Sequence, residues 1–362
     1  MNWGGIIITA VNNCIAAIRD ISSMALVKEM KAGWNLGNSL DVNRYLPKSN
    51  NPSEYETYWG NPVVKKEIID NIKNAGFNII RIPISWGEHT DESDEFLIDE
   101  VWFNRVKEVI DYAIDNNTYV IINIHHEEWL VPLNADYEFV SDKFSKIWNQ
   151  IAEFFKNYDE HLLFQSMNEP RLKGTDIEWT DGSQEARDII NKLNARFVSI
   201  VRSTGGNNKL RHLIITGYCS SIHENVLRNI LLPEDDKLIV STHVYKPYEF
   251  SLKSDGTDIW NNDTPADIDE IIQIYNNFKH YFTDKGIPVI IDECGNVNKS
   301  NIHARSKHIG YLVNTFKKLN IPCIWWDNGV FNENGEKFGI INRLNGEWYF
   351  PEIAEAMLQN CF

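Results

Sequence analysis

Two glutamates, each at the end of a short apolar run, are the residues of this chain whose spacing best suggests chemistry. Glu169 ends the run Phe164-Gln165-Ser166-Met167-Asn168-Glu169-Pro170, and Glu293 ends the run Val289-Ile290-Ile291-Asp292-Glu293. Such runs predict strands, and strands that end together deliver their last side chains to one pocket. A pair of facing carboxyl groups can supply the proton donor and the nucleophile or base that cleavage of a glycosidic bond requires. We therefore take both glutamates as candidate catalytic residues.

The elements that must position these glutamates are predicted from the alternation of short apolar runs with amphipathic stretches. We expect eight strands, centred on residues 33–36, 79–82, 120–124, 163–166, 213–216, 238–243, 289–292 and 323–326. Between them, apolar positions recur three or four residues apart, which is typical of helices packed on one face. Eight such alternations with fully apolar strands predict an α/β fold, a (β/α)8 TIM barrel in a single domain.

One helix carries both a start and a stop signal. Asn61-Pro62 has the composition of a cap and first turn, and Gly76 closes a run with apolar residues at Val64, Ile68, Ile72 and Ala75. The strand-poor stretches 41–60, 171–184 and 248–264 follow the first, fourth and sixth strands. In a barrel these are loops of the catalytic face, where they could form the walls of a cleft.

Composition limits the class of partner. The chain has 362 residues, a formal net charge of -16 and a pI near 5.1, so phosphate backbones and anionic membranes would be repelled. Apolar runs long enough to cross a bilayer are absent from the sequence. We expect no nucleic-acid or membrane partner. A neutral polymer fits better, since 12 Trp and 14 Tyr offer flat faces for sugar rings, although most of them are expected to serve packing.

Polar side chains recur at the predicted carboxyl ends of seven strands. A single histidine there is more often a structural hydrogen-bonding group, but recurrence on seven strands favours one shared pocket. The residues are Asn35, Asn38, Arg81, His125, His126, Asn168, Glu169, His243, Tyr245, Glu293 and Trp326.

These residues lie in motifs that match a known family. The motifs are Gly33-Trp34-Asn35-Leu36-Gly37-Asn38, Asn78-Ile79-Ile80-Arg81-Ile82-Pro83, Asn123-Ile124-His125-His126, Met167-Asn168-Glu169-Pro170, His243-Val244-Tyr245, Asp292-Glu293 and Trp325-Trp326-Asp327-Asn328-Gly329. From about residue 24 to residue 353 the chain resembles glycoside hydrolase family 5, most closely its subfamily 4. The resemblance implies a secreted, endo-acting hydrolase of β-1,4-glucans with catalytic glutamates on strands four and seven. Its partners would be β-glucan polysaccharide or cello-oligosaccharides.

The resemblance implies roles for individual residues. Glu169 would be the general acid and base, and Glu293 the nucleophile of a retaining mechanism. A proton donor must stay protonated near neutral pH, so we expect desolvation and the charge of Glu293 to raise the pKa of Glu169. We also expect the short carboxyl separation of retaining enzymes, about 5 to 5.5 Å, in place of the 6.5 to 9.5 Å of inverting ones.

Supporting roles follow from the same match. Asn168 would hydrogen-bond the sugar 2-hydroxyl, Arg81 and Tyr245 would hold Glu293 ionised, and His243 would orient Glu169. Asn38, His125 and His126 would line the subsite of the reacting sugar, with Trp326 as its stacking floor. Trp129 and Trp179 are candidates for platforms along the cleft, and packing beneath the loops is an equal alternative for each.

We expect neither a metal nor another cofactor. In the sequence His125-His126-Glu127-Glu128, adjacent side chains of a strand point to opposite faces, so the four cannot readily close on one ion. Two positions depart from the family pattern. Gln165 stands where a glutamate is common, and Cys294 stands where an aromatic residue is usual; we interpret Cys294 as an inert buried thiol.

The ends of the chain support weaker hypotheses. We expect residues 1–22 to be an N-terminal extension and residues 23–362 to be the catalytic barrel. The five cysteines have no metal-binding spacing, and a clasp between Cys14 and Cys361 is a hypothesis based on the proximity of termini in compact domains. Three Asn-x-Ser/Thr triplets, at Asn116, Asn262 and Asn298, favour an extracellular location, and we expect a secreted monomer, alone or within a larger modular chain or cellulase assembly.

Three readings of function remain open at this stage. The leading hypothesis is an endo-β-1,4-glucanase acting on cellulose and mixed-linkage glucan. A xyloglucanase, xylanase or mannanase could use the same two glutamates, because the chemistry is indifferent to decoration farther along the cleft. A carbohydrate-binding barrel without catalysis is the alternative of another class, and the presence of both glutamates with their supports disfavours it.

Overall fold

A closed barrel of eight parallel strands forms the centre of the chain. In this computed structural model, the structure describes residues 17–43, 49, 51–91, 93, 95–332 and 335–361. The strands are β1 (Ala32–Leu36), β2 (Ile79–Ile82), β3 (Tyr119–Asn123), β4 (Leu162–Gln165), β5 (Leu213–Thr216), β6 (Leu238–Val244), β7 (Val289–Cys294) and β8 (Cys323–Asp327). Neighbours in sequence pair in order, and β8 pairs with β1 to close the barrel.

Helices connect the strands and cover the barrel. They are α1 (Ser23–Glu29), α2 (Pro52–Glu56), α3 (Lys66–Ala75), α4 (Glu100–Ile114), α5 (Tyr137–Phe155), α6 (Gln184–Ser203), α7 (Glu224–Leu227), α8 (Tyr248–Ser251), α9 (Pro265–Tyr281), α10 (Ile302–Lys317) and α11 (Pro351–Asn360). Short 3₁₀ turns lie at Gly87–His89, Gly206–Lys209, Tyr218–Ser220 and Thr283–Lys285. No helix in these described segments combines the length and the apolar composition needed to cross a bilayer.

Two apolar cores hold this architecture together. The larger lies between the strands and the surrounding helices, and the smaller lies inside the amino end of the barrel, where α1 closes it. Inward-facing residues of the strands pack there on Leu26, Val27 and Met30 of α1. Gly33 belongs to the same crowded layer, because a Cβ at this position would stand 2.8 Å from side chains of both Ile79 and Ile324. The amino end is therefore filled with side chains, which leaves the carboxyl end for a site.

The eight predicted strands are confirmed, each to within two residues at either end. The predicted start of α3 is wrong. The helix begins at Lys66, and Asn61 instead donates its side-chain amide to the carbonyls of Asn38 and Asn328. Gly76 ends the helix in a left-handed conformation, as predicted. The start signal failed because the asparagine links two loops of the catalytic face.

The predicted extension, residues 1–22, is described only from residue 17. Arg19 pairs with Glu29 and Glu160, and Lys237 pairs with Asp20. Cys14 lies outside the described residues, so its clasp with Cys361 stays a prediction, as does the boundary of the extension.

Candidate active site

Glu169 and Glu293 face each other at the carboxyl end of the barrel, with His243 between them. Glu169 follows β4, Glu293 lies near the end of β7, and His243 lies in β6. The Nδ1 atom of His243 is 2.7 Å from Oε1 of Glu169 and 3.4 Å from Oε2 of Glu293. One carboxylate oxygen of each glutamate and one imidazole nitrogen lie within 4.8 Å of one another. The fold thus brings together two carboxyl groups that are remote in sequence.

Arg81 is a fully buried cation next to Glu293. Its Nη1 donates to Oε1 of Glu293 at 2.8 Å and to Oδ1 of Asn35 at 2.9 Å. Its Nη2 donates to Oδ1 of Asn168 at 2.7 Å, and its Nε donates to Oε1 of Gln165 at 2.9 Å. The guanidinium plane is therefore held by four residues from three strands or their ends, β1, β4 and β7, which fixes the direction of its bond to Glu293.

Gln165 explains why a departure from the family pattern is tolerated beneath the site. While its oxygen accepts from Arg81, its amide nitrogen donates to Ser241 and to the carboxylate of Asp292. Asp292 is fully buried and also accepts from the hydroxyl of Ser241. A neutral amide can donate and accept at once, so Gln165 links the buried cation to the buried carboxylate without adding a charge.

Tyr245 supports the second glutamate from the opposite side. Its hydroxyl donates to Oε2 of Glu293 at 3.0 Å, while Arg81 occupies Oε1. Both oxygens of Glu293 are therefore engaged, as predicted from the sequence. Burial together with the charges of Glu169 and Asp292 nevertheless raises the pKa of Glu293, because His243 and Arg81 offset these effects only in part.

The pKa of Glu169 lies in the direction opposite to our expectation. Burial does raise it, but the hydrogen bond and charge of His243, helped by the charges of Arg171 and His126, lower the pKa below its ordinary value. Burial lowers the pKa of His243, yet Glu293, Asp292 and Glu169 raise it overall. In the free site, the proton that a general acid needs is therefore favoured on the imidazole, one hydrogen bond away from the carboxyl group.

One wall of the cleft contains the residues assigned to the reacting sugar. The ring of Trp326 lies parallel to that of His125, with 5.9 Å between centroids, and His126 lies edge-on to His125 at 4.4 Å. Burial lowers the pKa of His125 well below its ordinary value and that of His126 to about 4. Both imidazoles are therefore neutral near pH 7. Because Nδ1 of His125 already contacts the side-chain amide of Asn123, His125 has its Nε2 to offer to a sugar hydroxyl.

Asn38 also faces this wall, in a left-handed conformation with φ of 57°. Its backbone N–H donates to the buried Asp41, and its carbonyl accepts from Asn61. Sequence analysis did not identify Trp59, which extends the same wall and lies edge-on to His126 at 5.9 Å. Little in the sequence indicates this role, because Trp59 lies in a loop, where apolar residues show no regular spacing.

Trp179 also lines the cleft, next to Arg171. Trp179 is 66% exposed, and its ring stacks on the guanidinium of Arg171 at 4.2 Å. Arg171 in turn reaches Oε2 of Glu169 at 3.4 Å. Trp129 is not among the described residues that line the cleft; its indole N–H donates to the buried Glu127, and Lys143 lies over its ring. These contacts favour the packing alternative for Trp129, and the platform hypothesis stays a prediction for both tryptophans.

The cleft has a volume of about 1110 Å³ and contains both glutamates. The loops predicted to form its sides do so where they are described, through Trp59, Trp179 and the segment after β6. Its lining residues include Asn38, Trp59, His125, His126, Asn168, Glu169, Arg171, Trp179, Cys219, His243, Tyr245, Tyr248, Leu252, Lys253, Glu293, Trp326 and Glu336. An open groove of this kind suits an extended chain.

Two triads in the cleft bring potential metal-binding atoms within 4.8 Å: Glu169 with His243 and Glu293, and Asp41 with His125 and His126. Hydrogen bonds already link the first triad. In the second, Asp41 accepts from backbone N–H groups, and His125 contacts the amide of Asn123. These protein partners are consistent with the expectation of a metal-free site, which stays a prediction.

Cys294 is fully buried, and its thiol donates to the carbonyl of Ile324.

Comparison with known proteins matches the chain to one family. The family model "Cellulase (glycosyl hydrolase family 5)" matches residues 44–332. "Endoglucanase A" of Ruminococcus albus is 44% identical over 347 residues, which cover 95% of this chain and 94% of that protein.

Solved structures resemble the chain over a similar extent. The GH5-4 broad specificity endoglucanase from Ruminococcus champanellensis with bound cellotriose is 44% identical with a TM-score of 0.91, and the match covers 94% of this chain and 99% of that one. XEG5A, a xyloglucan-specific endo-β-1,4-glucanase of GH5 from a metagenomic library, in complex with cellotriose, is 39% identical with a TM-score of 0.89, covering 93% and 98%.

Proposed function

The chain belongs to glycosyl hydrolase family 5, and from this premise we propose that it is an endo-1,4-β-glucanase that cleaves internal bonds of cellulose and mixed-linkage β-glucan by double displacement. Glu293 is the nucleophile in this proposal, and Glu169 is the general acid and base. The observation that supports it most directly is the pair of glutamates facing each other around His243, with carboxylate oxygens within 4.8 Å.

The short separation supports retention over inversion. Inverting enzymes need about 6.5 to 9.5 Å between carboxyl groups, because a water molecule must fit between the base and the sugar. The gap between Glu169 and Glu293 leaves no such room beside a bound sugar. In the proposed mechanism Glu293 attacks the anomeric carbon and displaces the sugar oxygen that Glu169 protonates; in the second step water displaces Glu293 from the same carbon.

Arg81 and Tyr245 prepare Glu293 for attack. They occupy one oxygen each, at 2.8 and 3.0 Å, and so fix the rotation of the carboxylate and oppose the increase in its pKa that burial causes. When the glycosyl-enzyme forms, the negative charge of Glu293 is discharged. Glu169, by then deprotonated, activates water and later recovers its proton.

His243 is the group with which Glu169 exchanges its proton. The imidazole is 2.7 Å from Glu169, and its own pKa is raised by Glu293, Asp292 and Glu169 despite burial. Substrate that fills the cleft removes water from the carboxyl group, and desolvation favours its neutral form. The proton then shifts to Glu169, where it reaches the glycosidic oxygen.

The substrate is held by one carboxamide and several rings. Asn168, oriented by Arg81, offers its side-chain amide to the sugar 2-hydroxyl, a contact that strengthens as oxocarbenium character develops. Trp326 is the floor of the reacting subsite, with Asn38, His125 and His126 around it. Trp59 and Trp179 also line the cleft, where they can stack on further sugar rings of the bound glucan.

The substrate could also be a decorated or different backbone. The relative that is named as xyloglucan-specific makes a xyloglucanase the second candidate, with a xylanase or a mannanase as further alternatives. We further propose that the protein is secreted and acts as a monomer, alone or within a modular assembly, since the high negative charge and the polymeric substrate fit an extracellular role.

The decisive experiment combines product stereochemistry with matched variants. Proton NMR at early times should show β-configured reducing ends released from barley glucan, carboxymethylcellulose and xyloglucan, with little product from xylan or mannan. Glu169→Gln and Glu293→Gln should abolish turnover, whereas Glu153→Gln, on the exposed face of α5, should retain it. Products of α configuration would exclude the double displacement, and full activity in either active-site variant would exclude the role assigned to that glutamate. Absence of turnover by the parent chain would favour the class of binding proteins.

A further inference from the structure

Two consecutive residues after β5 adopt a conformation that side chains rarely take. Cys219 has φ of 55° and Ser220 has φ of 46°, both in the left-handed region, and neither is glycine. Both are buried, Ser220 almost completely, at 1% exposure. Left-handed backbone costs on the order of 1 kcal/mol for a residue with a Cβ, and two adjacent cases persist only where surrounding contacts determine them. Such a turn beside a catalytic cleft needs a physical reason.

The turn supplies two hydrogen bonds to the backbone around Glu169. The hydroxyl of Ser220 donates to the carbonyl of Asn168, and the backbone N–H of Cys219 donates to the carbonyl of Pro170 at 2.9 Å. From the other side, the N–H of Asn168 donates to the carbonyl of Ile124 at 3.0 Å. The residues before and after Glu169 are thus held by the segments that follow β3 and β5.

The hydroxyl of Ser220 is itself oriented. Its oxygen lies 2.7 Å from Oγ1 of Thr216, the last residue of β5. The left-handed backbone of the turn brings this hydroxyl under Asn168. A right-handed or extended conformation at Ser220 would point the side chain elsewhere. The strained turn therefore places one hydrogen-bond donor, the hydroxyl of Ser220, against the peptide that joins Asn168 to Glu169.

We propose that Ser220 is a positioning residue for the general-acid step, whose hydroxyl holds the Asn168–Glu169 peptide so that the carboxyl of Glu169 meets the glycosidic oxygen. This inference rests on the proposed function, since it requires Glu169 to be the acid. A general acid must come within about 2.6 to 3.2 Å of the atom it protonates, and displacement by about 1 Å can cost on the order of a hundredfold in rate. Without the hydroxyl, the carbonyl of Asn168 loses this donor, and the orientation of the peptide is less tightly fixed.

Leaving-group dependence separates positioning of the acid from general damage to the structure. Cleavage of a glucan needs protonation of the departing oxygen, whereas a dinitrophenyl β-cellobioside releases a stable phenolate without it. The test compares kcat/KM, which reports the first chemical step, on cello-oligosaccharides and on this aryl glycoside. Ser220→Ala should lose about tenfold on cello-oligosaccharides and less than about threefold on the aryl glycoside.

A second variant separates the hydroxyl from the backbone strain. Ser220→Gly also lacks the hydroxyl but adopts positive φ without strain, so it should be at least as stable as Ser220→Ala and show the same selective loss. Thr315→Val is the matched control. Thr315 is a buried residue of α10, far from the cleft, whose hydroxyl also donates to a backbone carbonyl, that of Tyr311. It should leave the ratio of the two kcat/KM values unchanged.

The outcomes distinguish the inference from the function on which it rests. Glu169→Gln should show the largest selective loss on cello-oligosaccharides; equal losses on both substrates would overturn the assignment of the acid. If Glu169→Gln behaves as expected but the Ser220 variants lose activity equally on both substrates, or lose none, the role proposed for Ser220 is wrong.

Discussion

The guanidinium of Arg81 donates to the carboxylate of Glu293 across 2.8 Å, and both side chains lie inside the barrel mouth. The same Arg81 orients Asn168, the residue before Glu169, through its other terminal nitrogen. One buried cation therefore sets the geometry on both sides of the bond to be cleaved. Because every nitrogen of its fork has an acceptor, Arg81 cannot turn away from Glu293 without breaking several hydrogen bonds.

Replacing the guanidinium of Arg81 by the single ammonium of a lysine should lower the catalytic rate more than it lowers the stability of the fold. Arg81→Lys keeps the charge but cannot reach Glu293, Asn168 and Gln165 together, so we expect kcat on β-glucan to fall by about a hundredfold. Arg211→Lys is the matched control, since Arg211 is equally buried but donates to backbone carbonyls far from the cleft. It should lower the melting temperature and preserve kcat. Equal kcat values for the two variants would contradict the role of Arg81.

The two tryptophans that the sequence could not separate should respond differently to mutation. Trp179→Ala should raise KM for long cello-oligosaccharides about three- to tenfold with little change in melting temperature, because its ring is exposed and stacking contributes about 0.5–1.5 kcal/mol. Trp129→Phe should lower stability and leave KM unchanged, because it removes the indole N–H that Glu127 accepts. Steady-state kinetics and thermal unfolding measure both, and the reverse pattern would place Trp129 on the substrate path.

Buried neutral histidines should make the fold sensitive to acid. Burial lowers the pKa of His308 to about 4, whereas an unfolded histidine titrates near 6.5. The unfolded chain therefore binds the extra proton first, and stability is full above about pH 6.5 and declines as pH falls toward 4. The contribution lost by pH 4 is about 3 kcal/mol.

His308→Gln should accordingly flatten the acid limb of the stability curve. Its free energy of unfolding, measured by denaturant titration between pH 7.5 and 4.5, should change less with pH than that of the parent chain. His303→Gln, on the exposed face of the same helix, should leave the slope unaltered. An undiminished slope in His308→Gln would show that its imidazole is not held neutral.

Thiol reagents should leave the enzyme active. Cys294 and Cys323 are fully buried, and burial raises the pKa of Cys219 and Cys323, so thiolates are scarce where they could affect Glu293 or Glu169. Of the described cysteines, the half-buried Cys361 should react first. Rapid inactivation by Ellman's reagent, prevented by a cello-oligosaccharide, would contradict this. Mass mapping without reductant would show in the same sample whether Cys361 is linked to Cys14.

The sequence was sufficient to predict the barrel and the convergence of Glu169 and Glu293 in one pocket. Eight apolar runs with helical patterns between them leave few ways to bury every strand on both faces, and the strand-end motifs identify which polar residues converge. The sequence did not predict where α3 begins. Asn61 has the right composition for a helix start, but bonds to Asn38 and Asn328 satisfy it instead. Local propensity is a weak guide where a long-range partner competes for the same side chain.

What the sequence by itself determined was the identity of the groups, namely two glutamates, an arginine, a tyrosine and a histidine at the ends of predicted strands. Only the tertiary structure decided the direction in which their pKa values shift, because His243 lies between Glu169 and Glu293 and reverses the expected shift of the acid. The structure also revealed Trp59, the stacking of Arg171 on Trp179, and the left-handed turn at Ser220. These features arise from distances between segments far apart in the chain, to which neither periodicity nor composition is sensitive.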